Sequence, residues 1–244
     1  AIGAVLCAGH NALDGVKAAD LGALGPLWVV LHEGGEVALG GGHRLLAGYP
    51  LVPWVGVMAI GYALGSWLVL PPAERRRRLV FAGTGMIVAF LTLRASGAYG
   101  DPNPWSPDES ALGTGYRFLS CAKYPPSLCY LLMTLGPALL LVAWWDIRHP
   151  AWTAPLVTFG RVPMFFYLLH LPMLHSLSLV NSIVLWGQAK WLFGFPGENA
   201  PPHVGTGLTG VYLAWVLSLA LLLSVCRSFR NLKQRLQSPL LNYL

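Results

Sequence analysis

Charge is scarce in this chain. Asp, Glu, Lys and Arg make up 11% of its 244 residues, against about 25% in an ordinary soluble domain. Hydrophobic residues reach 55% and the mean hydropathy is +0.56. A soluble globular protein is thereby excluded, and a polytopic membrane protein is expected. Cysteine is sparse as well. Cys7, Cys121, Cys129 and Cys226 are scattered without metal-ligand spacing, so free, packed thiols are expected rather than disulfides or zinc ligands, and no metal is implied. The motifs of soluble catalysis are missing: there is no P-loop, no Gly-x-Ser-x-Gly, no His-Glu-x-x-His and no Gly-x-Gly-x-x-Gly after a strand. No repeat or low-complexity segment interrupts the chain, and a single domain over 1–244 is expected. Ala1 opens directly in an apolar stretch with no polar n-region before it, which is not a signal peptide. It reads as the tail of a helix whose beginning lies outside the sequence.

What the chain has in plenty is apolar runs, at about residues 1–13, 49–70, 79–98, 127–145, 162–186 and 208–226. A hydrocarbon core about 30 Å thick takes about 20 residues of helix to cross. The expected fold is therefore an all-α integral membrane bundle with five complete spans plus one truncated N-terminal span. Gly61 and Gly65 form a small-xxx-small pair that lets a neighbouring helix approach. Between the runs, residues 14–48 read as a Gly-rich polar stretch with a short amphipathic piece around Leu27 to Leu31. Pro71 to Arg78 reads as a tight basic loop, Tyr99 to Pro126 as a polar loop and 227–244 as a basic tail on the membrane surface.

The basic residues orient these spans. With the Arg75 to Arg78 loop inside, alternation also puts Arg148, Arg161 and the tail inside, which collects ten of the 16 Lys and Arg. Of the acids, only Glu74 and Asp146 fall on that side. This is the positive-inside bias of a multi-pass protein, so the net charge of +6 is mainly a topology signal and nucleic acid is not an expected partner. Arg75 to Arg78 anchor against anionic lipid in this reading.

The run from Thr158 to about Trp186 carries Arg161, His170, His175, Pro163 and Pro172. Ionisable groups in a span are expensive and mark a bundle interior or a wet cavity. Arg161 suits a clamp for phosphate or carboxylate at the inner mouth. His170 lies about 13.5 Å further along a helix and shares a face with Tyr167 at i,i+3, so the pair suits the lining of a deeper path. The plain alternative is that Arg161 snorkels to the interface and His170 bonds a carbonyl freed by a proline. For His175 that alternative leads. His10 and Asp14 are spaced i,i+4, so a continuing helix would set the carboxylate beside the imidazole, as a general base requires. Equally, Asn11 or Asp14 could simply end the helix. Asp101, Asn103 and Trp105 suit a sugar or polar head group, although Pro and Asn are also ordinary turn formers. Lys123 and Tyr124 join Asn11 as further candidate substrate contacts, beside prolines that set how the chain approaches the next span.

Several stretches together resemble the bacterial branch of the heparan-α-glucosaminide N-acetyltransferase-like membrane proteins. They are Gly9-His-Asn-Ala-Leu-Asp14, Tyr49-Pro-Leu-Val-Pro-Trp-Val-Gly-Val-Met58, Tyr99-Gly-Asp-Pro-Asn-Pro-Trp105, Lys123-Tyr-Pro-Pro-Ser127, Phe159-Gly-Arg-Val-Pro-Met-Phe-Phe-Tyr-Leu-Leu-His170 and the terminal Asn-Tyr-Leu244. The family's Asp-x-x-Arg-Gly motif and first-loop histidine have no counterpart in this sequence. The resemblance implies transfer of an acetyl group from cytoplasmic acetyl-CoA to an amino sugar across the membrane, with acyl-CoA as co-substrate and no permanently bound cofactor. The expectation is an acyltransferase of a bacterial inner membrane acting on a hydroxyl or amine of an extracytoplasmic glycan. His10, Asp14 and His170 are its candidate catalytic residues, and Arg161 and Tyr167 its coenzyme contacts. Membrane lipid is a further partner, and a homo-oligomer stays open. The alternatives are a transporter or flippase, against which stands the lack of an inverted repeat, and a non-catalytic membrane protein.

Overall fold

The computed structural model describes residues 1–146, 148, 151–194, 200, 201, 204, 205, 207–236 and 241. The terminal Asn-Tyr-Leu244 stretch lies outside the described residues, as does part of the 187–207 loop. The chain opens with α1 (Ile2–Gly9), which tightens into a 3-10 turn over His10–Leu13. A second 3-10 stretch leads to α2 (Gly25–Trp28), a π turn over Val29–Glu33, and a hairpin of β1 (Gly35–Gly40) and β2 (His43–Ala47). Then follow α3 (Leu51–Leu68), α4 (Pro72–Ser96), α5 (Ala111–Leu119), α6 (Leu128–Trp145), α7 (Ala154–Arg161), α8 (Pro163–Trp186) and α9 (Leu208–Leu236). Five of these, α3, α4, α6, α8 and α9, are long and apolar enough to cross a membrane, while Ile2–Leu13 is a shorter apolar helix. The chain divides into two compact units, Ala1–Arg148 and His149–Leu244.

The long helices lie on the apolar runs, and the differences are at their ends and between them. Arg75 to Arg78, expected as a loop, form the opening turns of α4, with Pro72 in its first turn and Glu74 beside the N-terminus. Proline is at home there, the acid complements the helix dipole, and arginine is a good helix former. In the expected polar loop, Ser110 accepts a hydrogen bond from the Gly113 amide and starts α5, whose Leu112, Tyr116 and Leu119 recur at helical spacing. The hairpin was not anticipated. It turns on Gly40, Gly41 and Gly42, all at positive φ (81°, 59° and 80°), where a side chain would be strained.

Within the first unit, paired glycines bring helices together. A Cβ added at Gly3 of α1 would sit 2.7 Å from the Gly56 carbonyl oxygen of α3, and one at Gly56 would sit 2.7 Å from Cys7 Sγ. The same device joins α4 to α6, where a Cβ at Gly83 would lie 2.8 Å from the Gly136 carbonyl oxygen. Gly61 and Gly65 have nothing within 4 Å among the described residues, so the close approach on α3 is made at Gly56 instead. Gly83→Leu is expected to force α4 from α6 and lower stability by about 1–3 kcal/mol, the range for overpacking. Gly61→Leu should leave it unchanged. Reversible unfolding in detergent micelles measures both, and equal midpoints for the two variants would refute the assignment.

At one end of this unit Arg75 ties three helices together. Its Nε donates to Asp146 Oδ2 at 3.0 Å and its Nη2 to the other carboxylate oxygen, just past α6. Its Nη1 donates to the Leu68 and Leu70 carbonyls at the end of α3 (3.1 and 3.2 Å). Arg78 pairs with Glu74 at 2.6 Å and lies over Trp67. That leaves Arg76 and Arg77 exposed. At the far end of α4, Arg94 is 3% exposed and carries the whole 99–126 loop. Its guanidinium donates to the carbonyls of Phe118, Asn103, Arg117 and Ser120 at 2.7–3.2 Å and stands 3.6 Å from Asp101. All four cysteines are free. Burial pushes the Cys121 thiol in this loop up to about 12, so it stays protonated.

In the second unit α7 stops at Arg161, because Val162 leaves helical geometry (φ −136°, ψ 51°) before Pro163 starts α8. Phe165 of α8 stacks on Phe229 of α9 with ring centroids 3.9 Å apart. Arg230 of α9 donates to buried Thr158 Oγ1 of α7 at 3.0 Å. The helix therefore runs on through the basic residues to Leu236, past the expected end near 226.

Candidate functional site

Where the Arg75 end of the first unit is an ion-pair clasp, its opposite end gathers the polar residues. The starts of α3 and α6, the end of α4 and the 3-10 turn after α1 meet there. Asn11 links two of them, since its Oδ1 accepts the Leu128 amide at 2.8 Å and its Nδ2 donates to Asp14 Oδ2 at 2.9 Å. Tyr99 donates its hydroxyl to the Ala8 carbonyl, and the Tyr49 and Tyr124 rings meet edge to face at 5.5 Å. Four stretches far apart in sequence thus meet at the end of the unit that holds His10.

The carboxylate that sequence spacing assigns to His10 belongs to another histidine. Asp14 Oδ1 lies 3.2 Å from His32 Nε2. The cause is the 3-10 turn over His10–Leu13. At about 3.0 residues per turn, four residues sweep about 480° instead of the roughly 400° of an α-helix, which swings Asp14 off the His10 face. His32 stacks obliquely on Trp28 (centroids 4.9 Å) and turns an edge to His10 (5.8 Å). Its one missed signal in the sequence is the i,i+4 spacing from Trp28.

His10 and His32 are each 2% exposed, whereas the Asp14 side chain is 22% exposed and opens the cluster to solvent. Among the described residues, neither ring nitrogen of His10 has a hydrogen-bond partner, nor does Nδ1 of His32. The Pro126 carbonyl is within electrostatic reach of His10 without closing a hydrogen bond. Each buried polar atom left in that state costs about 1–3 kcal/mol. Native folds keep few of them, and those few answer to water, an ion or a reacting partner. Lone pairs held bare beside a His–Asp pair are suited to accepting a proton or a metal.

Beside the cluster, a cavity of about 370 Å³ is walled by Glu33 and Gly34, the residues that follow His32, and by Tyr49, Pro50 and Tyr124. Lys123 lies over the Tyr124 ring at 5.1 Å. Its hydrogen bond to Tyr124 raises the Lys123 ammonium above its usual range and draws the Tyr124 phenol down. Two aromatic walls and a carboxylate in the lining suit a polyhydroxylated ring.

Of the other expected substrate contacts, Asp101 accepts the Asn103 and Ala122 amides and the Ser127 hydroxyl (2.8–2.9 Å) as well as facing Arg94. Trp105 donates its indole N–H to the Arg94 carbonyl at 2.7 Å. Both hold the loop in shape, and with Asn103 they line a smaller cavity of about 270 Å³. In the second unit Arg161 is exposed and has no hydrogen-bond or ion-pair partner among the described residues. His170 bonds the Tyr167 carbonyl through Nδ1 and stacks on Phe166 (5.6 Å), and Tyr167 is exposed. The carbonyl that Pro172 frees is that of Leu168, four residues before it, so this bond is not the proline-freed one weighed in the sequence. His175 is exposed and meets Phe193 edge-on at 5.4 Å. None of these four lines a cavity described above. Comparison with protein-family models, with curated proteins and with solved structures finds no match to the chain.

Proposed function

We propose that this is a membrane-embedded acyltransferase of a bacterial inner membrane, with the Arg75–Arg78 end of its first unit on the cytoplasmic side. It moves an acetyl or other acyl group from acyl-CoA to a hydroxyl or amine of an extracytoplasmic sugar or glycan. The observation that supports this most is buried His10, whose bare ring nitrogens sit beside the His32–Asp14 pair. That end of the unit lies opposite the arginines, on the side where the acceptor is expected. The resemblance to the N-acetyltransferase-like family supports the same reading; it includes the stretches that meet there, and its most specific part is Phe159 to His170.

In this reading His10 is the base. The acceptor's oxygen or nitrogen attacks the thioester carbonyl as His10 takes its proton. The C–S bond then breaks, and the departing thiolate is protonated as coenzyme A. The Asp14 carboxylate, held by His32, favours the imidazolium formed on His10, and the Tyr49–Tyr124 cavity holds the acceptor. In the second unit Arg161 offers an exposed cation to the coenzyme's phosphates. His170, whose Nδ1 is already engaged, contributes to binding rather than to proton transfer.

The test is transfer of labelled acetyl from acetyl-CoA to amino sugars and glycans by the chain reconstituted in proteoliposomes. Label should reach an acceptor only when protein, donor and acceptor are all present. Transfer no greater than in protein-free vesicles across the acceptor panel would reject the enzyme, and sugar uptake without transfer would identify a transporter.

A further inference from the structure

His10, Asp14 and His32 each present one metal-ligating atom, and these atoms lie within 4.8 Å of one another. We propose that the three residues form a divalent-metal site selective for zinc. A His–Asp pair alone accounts for two of them, since His32 Nε2 and Asp14 Oδ1 are 3.2 Å apart. It leaves unexplained why His10 is buried against that pair with both ring nitrogens bare. A metal ion takes a lone pair from all three at once.

The geometry is near what zinc needs. Bonds of about 2.1 Å in a tetrahedron set the ligand atoms about 3.4 Å apart. The His32–Asp14 separation is already there, and His10 has to close by up to about 1.4 Å, a rotation that breaks no hydrogen bond because its ring makes none. Asn11 holds Asp14 Oδ2 at 2.9 Å, which leaves Oδ1 for the ion and fixes the carboxylate from outside, as supporting residues of metal sites do. Two imidazoles with one carboxylate favour zinc over magnesium or calcium, which prefer all-oxygen sites. The fourth position opens toward solvent on the Asp14 side.

This site goes beyond acyl transfer, although it uses the same residues. A metal on His10 occupies the lone pair that would accept the substrate's proton, so the two uses exclude one another at any moment. Binding is therefore measured with neither acyl donor nor acceptor present, and its failure would leave the transfer reading standing.

The experiment strips the purified chain in micelles with a chelator and titrates zinc chloride by calorimetry, with metal analysis after desalting. One zinc per chain is expected, with magnesium giving no heat. His10→Ala, Asp14→Asn and His32→Ala should each weaken binding at least about ten-fold, and His43→Ala, in the exposed hairpin, should not. Cobalt supplies a second reading that does not depend on losing a ligand. The parent should show tetrahedral d–d absorption, and His10→Cys should add a thiolate-to-cobalt band. No retained zinc, or equal affinity in the parent and the three ligand variants, would overturn the proposal. So would a His10→Cys protein that is folded by circular dichroism but lacks the thiolate band.

Discussion

His10→Gln is expected to slow acyl transfer by about 10²–10⁴-fold, the usual contribution of a positioned general base. Glutamine keeps most of the volume and can hydrogen-bond, but it has no basic lone pair to receive a proton. The loss should fall on kcat more than on KM, since the acceptor cavity is walled by Glu33, Tyr49 and Tyr124 rather than by His10. Thermal unfolding should be little affected, because the parent imidazole makes no hydrogen bond that glutamine would forfeit. In the parent, transfer should decline at acid pH once the imidazole is protonated, because the base must be neutral to act. The residual activity of His10→Gln should not follow that profile. Undiminished transfer by this variant would remove His10 from the chemistry. His170→Gln is the informative partner experiment. A loss confined to KM agrees with a binding role, and a kcat collapse there would move the proton transfer to α8.

Arg94→Met should destabilise the first unit by about 3–5 kcal/mol, the range for breaking a buried ion pair from one side. The guanidinium serves four backbone carbonyls, those of Phe118, Asn103, Arg117 and Ser120, and faces Asp101 besides. Methionine fills part of the space and satisfies none of them. Arg94→Lys should recover only a fraction, since one ammonium cannot reach acceptors spread around a planar fork. Because the loop buttresses the start of α6 through Asp101 and Ser127, proteolysis between residues 99 and 126 should accelerate in Arg94→Met. An unfolding midpoint equal to that of the parent would show that the carbonyls find other donors.

Reading the chain in order could find α3, α4, α6, α8 and α9, because crossing a bilayer sets a run length that composition cannot disguise. Finer features were legible only where the signal is local. Ser110 with its apolar i,i+4 followers marks α5, and Pro72 with Glu74 marks the early start of α4. The glycine contacts show the limit of a local rule. A small-xxx-small pair says where a helix permits close approach, and which permissive face is used depends on the neighbour. On α3 that face is Gly56 against Gly3, with Gly61 and Gly65 left open.

Sequence by itself determined the helical plan, the orienting bias of the arginines and the interest of His10, Asn11 and Asp14, since each follows from run length, charge or near spacing. Tertiary structure alone decided the site. His32 lies beyond a 3-10 stretch, a kink at Gly22 and a π turn, so no periodicity links it to Asp14. The same 3-10 turn took the carboxylate from His10 and handed it to His32. Whether a polar residue is scaffold or reactant depends on which partners reach it. Packing answers that question, with every nitrogen of Arg94 engaged and both nitrogens of His10 left bare among the described residues.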